Sequence, residues 1–276
     1  MDELIDRALA EDIGAGDVTA AAVVPGGARA RARIVQRREG AVAGLEVAQA
    51  VFRRLDPELR WRAHVAEGQW GAAGRLVAEV AGRAVQILAG ERVALNFLGR
   101  LSGVATLTAR FVSAVEGTGA TVLDTRKTTP GLRDLEKRAV IAGGARNHRA
   151  GLHDALLVKE NHAVLGGGVG PATRAALAAA AAVEPRLPIV VECASLAEVD
   201  EALDAGAPRI LLDNLSLDEL CEAVRRAGGR AETEASGGVT LETVRVIAET
   251  GVDYVSVGAL THSAPALDLS LGLESL

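Results

Sequence analysis

Aromatic residues are scarce in this chain of 276 residues. They make up 2% of the sequence, and aliphatic residues supply most of an apolar content of 49%. Proteins that bind single-stranded nucleic acid stack bases on aromatic rings, so this scarcity argues against that role. A net charge of −6 and a pI near 5.5 argue against a nucleic-acid partner as well.

Cysteines and long apolar runs are also lacking. Only Cys193 and Cys221 are present, too few for a disulfide framework, which predicts a reducing compartment. No run approaches the roughly 20 apolar residues that cross a bilayer. The start, Met1 to Leu4, is acidic and lacks the basic-then-apolar pattern of a signal peptide. We therefore expect a cytoplasmic protein with no membrane partner.

Length alone predicts about two domains, with a single large α/β barrel also allowed. The first part of the chain has a mixed pattern. Periodicity predicts helices over 2–12, 44–55 and 91–115, and strict alternation predicts a strand over 28–38 whose arginines face solvent. We place an N-terminal α/β domain at 1–112 and a barrel domain at 113–276. Packing of the first helix on the barrel, and a return of the last residues to the N-terminal domain, stay open.

After residue 119, six short apolar runs alternate with helical stretches. Short continuous apolar runs separated by helices are typical of parallel strands buried on both faces. This part therefore predicts an α/β barrel or an open α/β sheet. Each run ends in a polar residue or glycine, namely Asp124, Lys159, Glu192, Asp213, Ser236 and Gly258. Because sites in parallel α/β folds collect at the carboxyl ends of strands, we expect an active site there.

A cationic cluster lies between residues 126 and 149, where seven Lys or Arg residues face two acids. Part of this surplus fits a salt-bridged helix face. Arg126, Lys127, Arg149 and the later Lys159 differ, because they lie at strand ends or beside glycines. Arginine binds carboxylate or phosphate as a fork and lysine as a point charge, so these four predict a site for a multiply anionic ligand. His148 lies within this cluster.

Two acids, Glu192 and Asp213, end successive strands. In a cationic mouth they could hold Mg²⁺, sugar hydroxyls or a developing positive charge, and pairing with neighbouring Lys or Arg is an equal alternative.

The Ser236-Gly-Gly238 turn and Gly258 are typical of phosphate-binding βα loops. No His and Cys have the spacing of zinc ligands, no Walker sequence is present, and Cys193 is expected as a small buried residue.

Several motifs in this order resemble quinolinate phosphoribosyltransferases, nearly from end to end. The specific blocks are Asp124-Thr-Arg-Lys-Thr-Thr-Pro-Gly-Leu-Arg133, Asn147-His-Arg-Ala-Gly-Leu152 and Lys159-Glu-Asn-His162. Supporting matches are Glu11-Asp-Ile-Gly-Ala-Gly-Asp17, Glu91-Arg92 with the following Leu-Asn-Phe-Leu-Gly-Arg, Leu211-Leu-Asp-Asn214, Glu234-Ala-Ser-Gly-Gly238 and Val257-Gly-Ala-Leu-Thr-His262.

The resemblance implies a mixed α/β sandwich domain followed by an incomplete α/β barrel of the type II phosphoribosyltransferase kind. It implies transfer of phosphoribose from phosphoribosyl pyrophosphate to quinolinate with decarboxylation, in NAD biosynthesis. Mg²⁺ would be the cofactor, and the assembly a homodimer or a hexamer of dimers.

The resemblance also implies residue roles. The quinolinate carboxylates would be surrounded by Arg92 of the partner chain and by Arg126, Lys127, His148, Arg149 and Lys159. Glu192 and Asp213 would bind ribose hydroxyls and the metal. The phosphates would meet Ser236, Gly237, Gly258 and His262. Catalysis would rest on Lys127, Lys159, Glu192 and Asp213.

Some residues depart from the family pattern, namely Val190, Ile141, Ala145 and Arg138. Val190 stands where another Glu is usual, which raises the question of whether metal binding depends on Glu192 and Asp213 alone. Three rival functions remain: a related enzyme acting on nicotinate or belonging to molybdenum-transport operons, a Schiff-base lyase with Lys159 as nucleophile, and a non-catalytic sensor of phosphoribosyl metabolites.

Overall fold

The computed structural model describes all 276 residues. The elements in chain order are α1 (Asp2–Ile13), α2 (Val18–Val23), β1 (Arg29–Gln36), β2 (Gly40–Ala41), α3 (Leu45–Leu55), β3 (Arg60–Ala63), β4 (Trp70–Gly71), β5 (Leu76–Arg83), α4 (Ala84–Ala114), β6 (Thr121–Leu123), α5 (Arg133–Ala142), β7 (Leu156–Val158), α6 (Glu160–Leu165), α7 (Val169–Ala181), β8 (Ile189–Cys193), α8 (Leu196–Asp204), β9 (Arg209–Asp213), α9 (Leu217–Ala227), β10 (Glu232–Ser236), α10 (Val244–Ala248), β11 (Tyr254–Ser256), α11 (Ala259–His262) and β12 (Leu269–Ser275).

The chain forms two compact units. The first comprises Met1–Ala109, Thr129–Gly144 and Ala264–Leu276, and the second comprises Arg110–Thr128 and Ala145–Ser263. The division at 112/113 stays a prediction: residues 129–144 follow that boundary and yet belong to the first unit.

The first unit contains a four-stranded antiparallel sheet in the order β12-β1-β5-β3. Its strand β1 follows the predicted alternation, because Ala30, Ala32 and Ile34 are buried while Arg29, Arg31 and Arg33 are exposed. Helix α4 is longer than the sequence predicts, starting seven residues before position 91. This unit is the mixed α/β domain expected at the N-terminus.

The second unit contains a six-stranded parallel sheet in the order β6-β11-β10-β9-β8-β7. The edge strands β6 and β7 do not pair with each other, so the barrel is incomplete. Apolar side chains such as Val191, Ile210, Leu212 and Val255 are fully buried, which explains the continuous apolar runs of these strands. The parallel α/β arrangement predicted after residue 119 is confirmed. No helix in the structure combines the length and apolar character needed to cross a membrane.

Candidate active site

One cavity of about 550 Å³ lies at the carboxyl ends of the parallel strands. It brings together most of the residues predicted to form the site. Nine of them line it: Arg126, Lys127, His148, Arg149, Lys159, Glu192, Asp213, Ser236 and Gly237. Cations from one part of the chain thus face acids and a glycine turn from another. Such a mixed lining suits a ligand that carries several anionic groups and also hydroxyls.

The segment after α5 holds the His148 region in place. Arg146 forms a parallel bridge with Leu123 of β6. Its backbone N–H donates to the carbonyl of Val122, and its carbonyl accepts a hydrogen bond from the N–H of Asp124. Asp124 is fully buried, and its carboxylate accepts a hydrogen bond from the backbone N–H of His148 at 2.7 Å. The strand-end acid Asp124 therefore anchors the loop that carries His148 and Arg149.

The cationic side of the cavity is partly desolvated. Burial lowers the pKa of the Arg149 guanidinium, and the neighbouring charge of Arg126 lowers it further. Like charges held together in a half-buried place favour the binding of an anion between them. The Arg149 side chain is steadied by donation from Nη1 to the carbonyl of Ala155 at 3.4 Å.

Lys127, Gly258 and His262 lie beside one another. The carbonyl of Lys127 accepts a hydrogen bond from Oγ1 of Thr261 at 2.8 Å, which ties this residue to helix α11. A Cβ placed on Gly258 would be 3.2 Å from Cδ of Lys127 and 3.1 Å from Nε2 of His262. Gly258 and His262 are not among the residues that line the cavity.

Two predicted acids end neighbouring strands, and each already has a polar partner. Glu192 forms an ion pair with Lys159. Asp213 accepts a hydrogen bond from Nδ2 of Asn214 at 2.8 Å. Both alternatives for Glu192 therefore remain relevant, since it pairs with a lysine and also faces the cavity. The thiol of Cys193, directly after Glu192, is fully buried as predicted, and burial raises its pKa to about 12.

Sequence reasoning missed one acid of the cavity. Glu234 is fully buried, contacts Oγ of Ser256, and lies 3.5 Å from Nε2 of His148 and 3.7 Å from Nη1 of Arg209. The other ring nitrogen of His148, Nδ1, accepts a hydrogen bond from the backbone N–H of Arg149 at 2.8 Å. A signal was available: side chains two apart on a strand share a face, so Ser236 at the site implies Glu234 beside it. Asn214 and Ser256 are further lining residues that were not predicted, whereas Gly238 lines the cavity as part of the predicted glycine turn.

Arg92 is the one predicted site residue that belongs to the first unit. It belongs to helix α4 in the first unit, its side chain is 63% exposed, and its Nη2 atom is 4.0 Å from Oε1 of Glu91. Its predicted role in a partner's site stays a prediction.

Two family models together match most of the chain. Residues 17–102 match the N-terminal domain of quinolinate phosphoribosyl transferase, and residues 104–272 match its C-terminal domain. A quinolinate phosphoribosyltransferase [decarboxylating] 1 from Nicotiana glauca is 41% identical over 99% of this chain and 82% of its own length. A probable nicotinate-nucleotide pyrophosphorylase [carboxylating] from Bacillus subtilis is 40% identical over 98% of this chain and 92% of its own.

A solved structure shows the same fold throughout. The crystal structure of NadC from Streptococcus pyogenes superposes with a TM-score of 0.94 at 39% identity, covering 100% of this chain and 96% of that one. The α/β domain, the incomplete parallel barrel and the match to both family domains place the chain among the phosphoribosyltransferases of this architecture. The chain belongs to the quinolinate phosphoribosyltransferase family.

Proposed function

We propose that the protein converts quinolinate and phosphoribosyl pyrophosphate to nicotinate mononucleotide, pyrophosphate and CO₂, a step of NAD biosynthesis. The single observation that carries this function is the shared cavity, in which the predicted cations, acids and glycine turn come together in a chain of this family. Both substrates are polyanions, and the cationic mouth gives an acidic protein a place to bind them.

The quinolinate carboxylates are bound by the cationic side of the cavity. Arg126 and Arg149 offer planar forks for carboxylates, and Lys127 and Lys159 offer point charges. The lowered pKa of Arg149 supports this assignment, because a dianion relieves the repulsion between two partly desolvated guanidinium groups. His148 is the remaining residue of this set, and it faces the same cavity.

The phosphoribosyl group is bound by the opposite side. Glu192 and Asp213 hold ribose hydroxyls, and Ser236, Gly237, Gly258 and His262 meet the phosphates. The left-handed backbone of Gly237, with φ of +103°, supports the phosphate role, since such glycine turns expose backbone N–H groups. The absence of a side chain at Gly258 lets the side chains of Lys127 and His262 lie close to its backbone, which supports placing these three residues in one subsite.

Bond making and breaking then follow from this placement. The quinolinate ring nitrogen attacks the anomeric carbon while the bond from that carbon to pyrophosphate breaks, and pyrophosphate leaves with the electron pair. Positive charge develops on the ribose, where Glu192 and Asp213 stabilise it. The carbon–carboxylate bond then breaks as CO₂ departs, its electron pair stays on the ring carbon next to the cationic nitrogen, and a proton from water adds to that carbon. Lys127 and Lys159 are the proposed catalytic cations, since they hold the quinolinate carboxylates in place while the ring nitrogen attacks.

Mg²⁺ is part of the proposal, held by Glu192 and Asp213 together with phosphoribosyl pyrophosphate. The donor set fits such an ion only in part: no group of three or more His, Cys, Asp or Glu side chains is placed to hold a metal, and the residue at position 190 is a buried valine. Two carboxylates suit an ion that takes its remaining oxygens from substrate phosphates and water, as Mg²⁺ commonly does. When bound, the ion would neutralise charge on the pyrophosphate leaving group.

A homodimer, or a hexamer built from dimers, completes the proposed site by supplying Arg92 from the partner chain. The exposure of Arg92 is compatible with this role. Mixing R92A protein with K127A protein tests it: hybrid dimers should regain part of the activity through one intact site. A mixture as inactive as its components overturns the shared site.

Cytoplasmic location is also proposed. Both cysteines are unpaired, which supports a reducing compartment. Relatives with 40% identity carry chloroplastic or mitochondrial names in plants, so the location of this chain needs its own test by cell fractionation.

The decisive assay incubates the protein with quinolinate, phosphoribosyl pyrophosphate and Mg²⁺ and measures nicotinate mononucleotide. K127A and R149A should nearly abolish product while circular dichroism stays unchanged. Turnover of nicotinate in place of quinolinate would overturn the assignment in favour of a related enzyme, and binding without turnover would favour a sensor. Trapping of a carbonyl substrate on Lys159 by borohydride would favour the lyase, although its ion pair with Glu192 opposes nucleophilic attack by that nitrogen.

A further inference from the structure

The loop after β9 contains the one non-glycine residue with a left-handed backbone. Asn214 has φ of +57°, and every other positive φ in the chain belongs to glycine. Asparagine adopts this region more readily than most residues, yet the conformation still costs free energy and persists only where contacts hold it. The contacts of Asn214 therefore hold it in this conformation.

Asn214 contacts two parts of the cavity that the sequence assigned separately. Its Nδ2 donates to Oδ2 of Asp213 at 2.8 Å, and its backbone N–H donates to the carbonyl of Ser236 at 2.9 Å. Its side-chain amide also lies against Gly237, where an added Cβ would come within 2.5 Å of the Asn214 Cγ atom. One residue thus touches the strand-end carboxylate and both residues at the start of the glycine turn.

We infer that Asn214 is a positioning residue that fixes the Asp213 carboxylate relative to the Ser236–Gly238 turn. The left-handed backbone turns the amide back over Asp213 while the N–H group continues the β9–β10 pairing beyond Asp213 and Ser236. Holding Oδ2 in this way leaves Oδ1 of Asp213 for a ligand. The inference rests on the proposed function, in which Asp213 binds ribose hydroxyls and the turn binds phosphate.

The two groups that Asn214 connects serve the two ends of a single ligand. Ribose hydroxyls and a phosphate lie at a fixed separation within a phosphoribosyl group, so a carboxylate and a turn held at the matching separation bind it without prior rearrangement. The cations assigned to quinolinate come from other strands and loops, whereas the hydrogen bonds of Asn214 go to Asp213 and Ser236. Replacing Asn214 should therefore raise the KM for phosphoribosyl pyrophosphate and leave the KM for quinolinate nearly unchanged.

Three variants distinguish the contribution of the Asn214 side-chain amide from that of its left-handed backbone. N214G keeps access to the left-handed region and removes the side chain. N214D keeps the side-chain shape and replaces the N–H donor by an acceptor. N214A removes the amide and also disfavours the backbone conformation. S216A is the matched control two residues on: it removes the N-cap of α9, where Oγ of Ser216 accepts from the N–H of Glu219, and leaves Asp213 and Gly237 untouched.

The experiment measures KM for each substrate and kcat, with thermal unfolding to confirm that each variant folds. N214G and N214D should raise the KM for phosphoribosyl pyrophosphate roughly tenfold or more, the loss expected for one hydrogen bond to a charged group, with the KM for quinolinate nearly unchanged. S216A should unfold at a lower temperature and keep both KM values.

Two outcomes separate this inference from the proposed function. Wild-type protein that forms no nicotinate mononucleotide overturns the proposed function. Active wild-type protein with N214G and N214D that keep the wild-type KM for phosphoribosyl pyrophosphate, or that lose both substrates equally, overturns the positioning role alone. Should N214G fail to fold, N214D decides, because its left-handed preference and side-chain volume are preserved.

Discussion

Lys159 and Glu192 form an ion pair between the carboxyl ends of the neighbouring strands β7 and β8. The lysine side chain is 48% exposed and the glutamate 14%. In the proposed reaction the two residues serve different substrates, so binding must exchange this internal pair for contacts to ligand. The ion pair thus compensates the charges of Lys159 and Glu192 before either substrate binds.

Separate losses are expected when the two partners are replaced. K159A should raise the KM for quinolinate, and E192Q should raise the KM for phosphoribosyl pyrophosphate, each by roughly tenfold or more, because in the proposed function each residue makes a charge-assisted hydrogen bond to one ligand. Stability should change by less than about 1 kcal/mol, since the pair is partly exposed. Steady-state kinetics with each substrate varied checks this, and two variants that affect the same KM would contradict it.

Two acids of strand β10 lie near Arg209 of the neighbouring strand and differ in burial. Arg209 pairs with Glu232, whose side chain is 50% exposed, and lies near Glu234, which is fully buried on the same strand as Glu232. E234A should destabilise the protein by about 3 kcal/mol, because it leaves buried polar neighbours without their acid, whereas E232A should cost less than about 1 kcal/mol. Urea unfolding of the two variants measures the difference, and equal free energies would show that burial does not set the contribution.

Gly237 and Gly258 should respond differently to a methyl group. G237A places Cβ against the Asn214 amide in a residue with φ of +103°, so we expect a loss of about 1–3 kcal/mol in stability together with weaker use of phosphoribosyl pyrophosphate. Gly258 has a helical backbone, and an added Cβ would meet only the side chains of Lys127 and His262. G258A should therefore fold normally and raise only the KM for phosphoribosyl pyrophosphate. Thermal unfolding separates the two, and a G237A protein as stable as G258A would refute the steric argument.

Glu222 gives a pH-dependent contribution to stability. Hydrogen bonds from Arg225 and then Arg226 lower its pKa from 4.5 to about 2. Because the pKa is lower in the folded state, the stabilisation is present above about pH 4.5 and is lost as the pH falls toward 2. Wild-type protein should therefore exceed E222Q in unfolding free energy near neutral pH, by an amount that shrinks on acidification and at high salt. A difference that stays constant with pH would contradict this assignment.

The strand ends were the part of the site most open to prediction. Lys159, Glu192, Asp213 and Ser236 follow buried apolar runs at βα spacing, and parallel strands bring their carboxyl ends to one edge. The polar residue that ends each run could therefore be placed in a common cavity from the sequence. Asp124 followed the same rule and yet anchors the backbone of His148, because a strand end also needs polar groups to fix the next loop.

Other features depend on contacts that a sequence pattern does not contain. The run Ala231–Ala235 is only weakly apolar, so the inward position of Glu234 was overlooked. The left-handed backbone of Asn214 arises from contacts with Asp213 and Gly237 that exist only after the strands pair. Residues 129–144 join the first unit through contacts such as the ion pair of Glu136 with Arg100, 36 positions away, and local periodicity cannot report such a partner.

The buried thiol beside the site has a practical consequence. Cys193 is fully inaccessible and its pKa is raised to about 12, whereas Cys221 is exposed. A thiolate is the reactive form, so alkylating reagents should modify Cys221 at once and reach Cys193 only when strand β8 separates from its neighbours. The rate at which Cys193 is alkylated therefore measures how often the barrel opens. Phosphoribosyl pyrophosphate, which the proposed function places at the adjacent Glu192, should lower that rate.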